Sequence, residues 1–305
     1  MSGQSLLAAN VADFADFSLR DGRGNVVLPG RLYVPPEAMA DPTTPRPFIL
    51  FLHGGGEEGT NNTSQINSNI DNLLTEAKLK GAFLYAPQST SDWSSVALTN
   101  NVMTMIDRAE ASMDVDPTRI YITGLSNGGG GTWNMLSRYP EEFAAGLPIS
   151  GIAPASDFVP SHLLNTPIFA FHARDDSTVS VGTTHNVLNS IFIADGVTPP
   201  SYPTRSTANF FISNPDLASN VAVQQAVLQQ GNVTQFSIAG SHLDLMYYEL
   251  AVGGHAIWSN VYSGQPVYDW LFSHTTAVPE PPATLLMLVG GIVVVSTGRP
   301  NRREM

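Results

Sequence analysis

The sequence predicts an α/β fold, a mostly parallel central sheet with helices on both faces. Three observations carry this. Residues 48–53 (Phe48-Ile49-Leu50-Phe51-Leu52-His53) form a continuous apolar run without alternation, as a strand covered on both faces requires. Strand-like and helix-like segments alternate from about residue 16 to 278, the pattern of successive strand–helix–strand units. A β-branched run at 119–123 passes through Gly124-Leu125-Ser126-Asn127-Gly128 straight into a helix-like segment.

In chain order, strands are expected at 30–34, 48–53, 82–86, 119–123, 146–150, 166–172 and 245–250, all rich in apolar or β-branched residues. Helices are expected at 66–79, 101–113, 128–137 and 183–193, where apolar residues recur at a spacing near 3.6. Residues 196–234 begin rich in Pro, Ser and Asn and turn helix-like at 221–228. They read as an insertion able to form a small lid. No internal repeat is visible.

Composition excludes several classes. With 305 residues and 43% hydrophobic content, the chain can bury a sizeable core and is no disordered segment. It has no cysteine, so a disulfide scaffold, a thiolate zinc site and a cysteine nucleophile are all ruled out. A formal charge of −12 argues against a nucleic-acid partner, which needs clustered Lys and Arg. Charged residues make up only 13% of the chain, so neutral polar side chains must cover much of the surface.

The chemistry starts at Ser126. A turn directly from strand to helix puts the serine in a strained conformation with its hydroxyl exposed, and flanking glycines avoid clashes with neighbouring backbone. The helix starting behind it favours negative charge there. Before the serine, the apolar strand ends in His53-Gly54-Gly55-Gly56. Glycines let a substrate carbonyl oxygen approach backbone N–H groups without a Cβ in the way, and the N–H groups of Gly55 and Asn127 are the expected donors. A phosphate loop would need Gly-Lys-Ser/Thr, which does not follow. His53 is expected to pack or to orient this loop. Past the strand at 166–172, either Asp175 or Asp176 can orient an imidazole, and Asp176 is favoured; an aspartate there also suits a helix N-cap. Of the later histidines, His185 falls in a helix and His274 near the tail. His255 follows Gly253-Gly254 in a loop free to reach the serine and is the expected general base. No metal or organic cofactor is implied.

Serine, then acid, then histidine, preceded by His-Gly-Gly-Gly, resembles the α/β-hydrolase superfamily. Within it, residues 30–275 are similar to bacterial secreted esterases of the polyhydroxybutyrate depolymerase-like, feruloyl-esterase-like and predicted-peptidase-like group. The likeness includes Arg31-Leu32-Tyr33-Val34-Pro35-Pro36, Ala86-Pro87-Gln88, Asp116-Pro117-Thr118-Arg119 and Gly131-Thr132-Trp133. It implies a serine carboxylic-ester hydrolase with Ser126, Asp176 and His255 at the catalytic positions and Gly55 with Asn127 at the oxyanion positions. It also implies Trp93 near the acyl pocket, as a substrate-binding residue. Asn127 stands where many relatives carry Met. A small or polymeric ester is the implied substrate. The same triad cleaves amides, so a serine peptidase is a second reading, and a non-catalytic surface protein a third.

The two ends differ. The first residues lack a basic region and a continuous apolar core, so no N-terminal signal peptide is expected there. At the other end, Val278-Pro279-Glu280-Pro281 leads into an uncharged run that reaches Gly298, followed by Arg299, Arg302 and Arg303. This order resembles the PEP-CTERM sorting signal. It implies a membrane-spanning helix, an exosortase-type processing enzyme as partner, and delivery to the cell envelope or outside. Two units are thus expected: a catalytic domain at 1–277 and a tail at 278–305.

Overall fold

Phe48, Leu50 and Leu52 face one side of their strand and Ile49 and Phe51 the other, and each set joins its own buried cluster. Side chains alternate along a strand, so an unbroken apolar run fills two cores at once. In the computed structural model, which describes residues 11–67 and 69–276, this holds across the centre of the sheet.

The strands are β1 (Ala15–Asp16), β2 (Leu19–Arg20), β3 (Val26–Leu28), β4 (Gly30–Tyr33), β5 (Arg46–Leu52) and β6 (Phe83–Pro87). Then come β7 (Val115–Leu125), β8 (Ala145–Ile149), β9 (Ile168–Ala173), β10 (Asn209–Ser213), β11 (Val233–Ser237) and β12 (Leu245–Leu250). Among the described residues, ten of them form one sheet in the order β1-β4-β6-β5-β7-β8-β9-β12-β10-β11, while β2 and β3 pair separately. From β6 through β12 every neighbour is parallel. Antiparallel pairing begins at β4 on one side and at β10 on the other.

The helices are α1 (Pro36–Ala40), α2 (Ser64–Asn67), α3 (Asp71–Lys80), α4 (Val96–Ser112), α5 (Asn127–Arg138), α6 (Val181–Asp195), α7 (Ala218–Gln229), α8 (Trp258–Tyr262) and α9 (Gln265–Leu271). Buried residues of α4, α5 and α6 join the cluster of Leu50, and those of α3, α7, α8 and α9 the cluster of Phe51. The sheet is therefore covered on both faces, the α/β-hydrolase architecture.

Two expectations need correcting. The single helix expected over 66–79 is two, α2 and α3, parted near Asn69, whose φ of 64° no helix accommodates. The helix expected at 101–113 starts earlier, at Val96, because Ser95 caps it by accepting the N–H of Leu98. Residues 196–234 lengthen the sheet: β10 pairs with β12 and β11, and α7 buries Val223 and Val227. Among the described residues no helix is long and apolar enough to cross a membrane. The apolar C-terminal helix expected within 278–305 lies outside the described residues.

Candidate active site

Ser126 sits between β7 and α5 with φ 55° and ψ −116°, a region a residue with a Cβ enters only under strain. Three backbone hydrogen bonds hold it there. Its N–H donates to Ile149 O at 3.0 Å, and its carbonyl accepts the N–H groups of Gly130 at 3.1 Å and Ile152 at 3.2 Å. The turn also demands bare backbone at Gly124, where a Cβ would fall 2.2 Å from Gly128 O.

The structure brings Ser126, His255 and Asp176 together. His255 Nε2 lies 2.9 Å from Ser126 Oγ, and its Nδ1 lies 2.7 Å from Asp176 Oδ2. A carboxylate only accepts, so Nδ1 carries the ring proton and Nε2 is left to accept the serine hydroxyl. Oδ1 of Asp176 accepts the N–H groups of Thr178 at 2.8 Å and Val179 at 2.9 Å. Burial alone would raise the Asp176 pKa, but the hydrogen bonds from His255, Val179 and Thr178 outweigh it and hold the carboxyl below the ordinary aspartate value.

The two candidate aspartates divide the work. Asp176 meets the ring, while Asp175 Oδ1 accepts the N–H groups of Gly253 and Gly254, both at 2.8 Å, and so ties down the loop that carries the ring. Trp258 packs edge-on to His255 at 5.3 Å between centroids and donates to Asn69 Oδ1. The other late histidines have their own acids: His185 pairs with Glu249, His242 with Asp195 and His274 with Asp244.

Gly55 and Asn127 are neighbours across the gap between the β5 loop and α5, for a Cβ on Gly55 would stand 3.0 Å from Asn127 Nδ2. Asn127 is the first residue of α5, so its N–H has no partner within the helix. Its side chain donates to Glu58 Oε1 at 2.8 Å. His53 is 1% exposed. Its Nε2 accepts the N–H of Ser89 at 3.0 Å, so Nδ1 is the donor to Gly54 O at 2.7 Å. Burial lowers its pKa, in keeping with a neutral ring that fixes the glycine loop.

Trp93 differs from expectation. It is 1% exposed, lies beneath Gly131 and donates its indole N–H to His53 O at 3.1 Å. Its ring thus backs the glycine loop from inside the core instead of lining a substrate-facing wall. Sequence reasoning passed over three further residues: Asp175 as a loop clamp, Glu58 on Asn127, and His172, which touches Asp176. Among the described residues no cluster of three or more His, Asp or Glu could hold a metal. Beside the carboxyl end of β6 a cavity of about 410 Å³ is lined by Arg31, Thr60, Asn62, Gln88, Ser89 and Thr90.

Comparison with known proteins decides the family. No protein-family model matches the chain. Carboxylesterase SOBER1 of Arabidopsis thaliana is 30% identical over 162 residues, 44% of this chain and 71% of that protein. The chain belongs to the α/β-hydrolase carboxylesterases. A crystal structure of a thermostable esterase superposes on this carboxylesterase with a TM-score of 0.62 and 26% identity, over 87% of this chain and 64% of that one. Poly(3-hydroxyalkanoate) depolymerase C of Paucimonas lemoignei is 41% identical over 51 residues, 17% of this chain; the chain spans 12% of that protein's length.

Proposed function

We propose that this carboxylesterase hydrolyses its esters through an acyl-enzyme on Ser126, with His255 as general base and Asp176 as the acid that orients it. The observation that carries this is the unbroken relay of hydrogen bonds, 2.9 Å from Ser126 Oγ to His255 and 2.7 Å from His255 to Asp176.

As Ser126 Oγ attacks the ester carbonyl carbon, His255 Nε2 takes its proton and the carbonyl π electrons move onto oxygen. The N–H groups of Gly55 and Asn127 receive that oxyanion, each worth about 3–4 kcal/mol in the transition state. The tetrahedral centre collapses, the C–O bond to the alcohol breaks, and His255 returns the proton to the departing oxygen. Water then attacks the acyl-serine, again giving a proton to Nε2, and the carboxylic acid leaves as Ser126 is restored. Asp176 keeps Nδ1 protonated and offsets the positive charge that the imidazole acquires in each half-reaction.

The substrate we infer is an ester borne on a larger or polymeric molecule, and the protein an exported one. One relative, matched over a short stretch, is named as a depolymerase, and this supports the polymeric reading. Export rests on the order of motifs in 278–305, a tail suited to an exosortase-type enzyme and to membrane attachment. Replacing Ser126 with Ala tests the core of this reading: p-nitrophenyl acetate turnover should vanish while the fold stays intact, and undiminished turnover would refute it. Release of soluble acids from a polyester film or acetyl-xylan tests the substrate class.

A further inference from the structure

The carboxylate that meets His255 meets a second imidazole. His172, in β9, is fully buried, with Nε2 3.1 Å from Asp176 Oδ2 and 3.0 Å from Val179 O. A carbonyl only accepts, so Nε2 bears the proton and its N–H is shared between these two oxygens. At the opposite edge of the ring, Nδ1 lies 2.8 Å from Thr184 Oγ1 on α6, and the hydroxyl must be the donor. The ring's donor and acceptor are both engaged. Burial pushes its pKa below the ordinary histidine value, so it stays neutral while His255 gains and loses its proton.

Among the described residues, Asp176 Oδ2 takes hydrogen bonds from these two imidazoles, while Oδ1 takes two backbone N–H groups. We propose that His172 is a positioning residue for the Ser126–His255–Asp176 relay, fixing the plane of the Asp176 carboxylate and drawing charge from the oxygen that holds His255. This rests on the hydrolytic reading above. A second donor on Oδ2 makes that oxygen a weaker base. It then grips the imidazolium less tightly, and His255 can release its proton to the leaving alcohol. The other charged groups nearby are engaged elsewhere. Asp175 holds Gly253 and Gly254, and behind His172 the buried Glu249 takes Arg174 Nε and His185 Nε2, each at 2.6 Å. On its far edge His255 Nε2 meets the Ser126 hydroxyl, and Trp258 packs edge-on to the ring.

The test compares H172F, H172Q and T184V with the unaltered enzyme. p-Nitrophenyl acetate kinetics are followed across pH, and competent sites are counted with a fluorophosphonate so that misfolded molecules drop out. H172F should lose about tenfold in kcat with KM little changed, as a misoriented relay does. Its acid limb should move to higher pH by about half a unit, because Oδ2 becomes the stronger base. H172Q, whose Nε2 reaches towards the same oxygen, should recover most of both losses relative to H172F. T184V should move the limb the same way by less. In parallel, imidazole 15N spectra of S126A protein should show His172 as the Nε2–H tautomer, with that resonance shifting in the additional variant D176N. An acid limb that stays put or moves to lower pH in H172F, or His172 protonated on Nδ1, overturns the proposal. The spectra are independent of turnover, so an S126A protein as active as the original would sink the hydrolytic reading and still leave the His172–Asp176 contact to be decided.

Discussion

Gly128 packs so tightly on Leu52 that a Cβ there would stand 1.9 Å from the Leu52 carbonyl oxygen. Leu52 closes β5 just before the glycine loop, and Gly128 lies in the first turn of the helix behind Ser126. This one contact sets how far the serine turn stands from the loop carrying Gly55. The atom in the way is backbone and cannot rotate aside. Gly128→Ala should therefore destabilise the protein by about 3 kcal/mol or more, read as a large drop in thermal midpoint with loss of ester turnover. A variant melting with the original would show that the turn is not so constrained.

Asp175 should matter for rate more than for binding. Its carboxylate holds two N–H groups of the His255 loop and touches neither the ring nor the serine. Asp175→Ala should lower kcat by about tenfold with KM within about twofold, the pattern of a relay that is present but misaligned. Steady-state kinetics at saturating ester decide this. An unchanged kcat would mean that the loop holds itself.

The oxyanion donor assigned to Asn127 belongs to the backbone, so its side chain should be partly dispensable. Asn127→Ala keeps the N–H and loses the hydrogen bond to Glu58. Turnover should fall by less than tenfold, against the 10²–10³ expected when a true oxyanion donor is removed. A loss of that larger size would assign the donor to the side-chain amide instead.

Acid should weaken the fold through its buried histidines. His53 and His172 are both buried, and burial lowers the pKa of each. The unfolded chain takes up these protons near pH ~6.5, whereas the folded protein does so only at lower pH. Their contribution to stability is thus fully present above pH ~6.5 and is lost as pH falls through the folded values. Urea midpoints measured from pH 7 to 5 should fall, and H172Q should flatten the decline. A midpoint independent of pH over that range would contradict the buried, neutral assignment.

Much of this was legible in the chain, for identifiable reasons. The central strands were visible because a strand buried on both faces shows an unbroken apolar run, as in Phe48-Ile49-Leu50-Phe51-Leu52. The meeting of Ser126, Asp176 and His255 was legible from glycines that mark sharp turns and from the order along the chain. The edges were harder. β11 (Val233-Thr234-Gln235-Phe236-Ser237) is half exposed and polar, and β10 is a short apolar run hidden in a segment that opens with prolines, so neither announced itself. Helix α3 was misread because the apolar spacing carries through Asn69, where the backbone turns. In the site, His172 escaped notice because a histidine ending a buried strand looks like core. Its separation of four residues from Asp176 was the available signal. Trp93 was drawn towards the substrate by resemblance alone, whereas its burial follows from the close approach of Gly131.

The central claim is that Ser126 carries the acyl group, and trapping that intermediate tests it most directly. Enzyme quenched in acid during turnover of p-nitrophenyl acetate, then digested and examined by mass spectrometry, should carry acetyl on the peptide containing Ser126, and S126A should carry none. An unmodified Ser126 peptide during steady turnover, or acetyl accumulating on a different side chain with S126A still active, would contradict it.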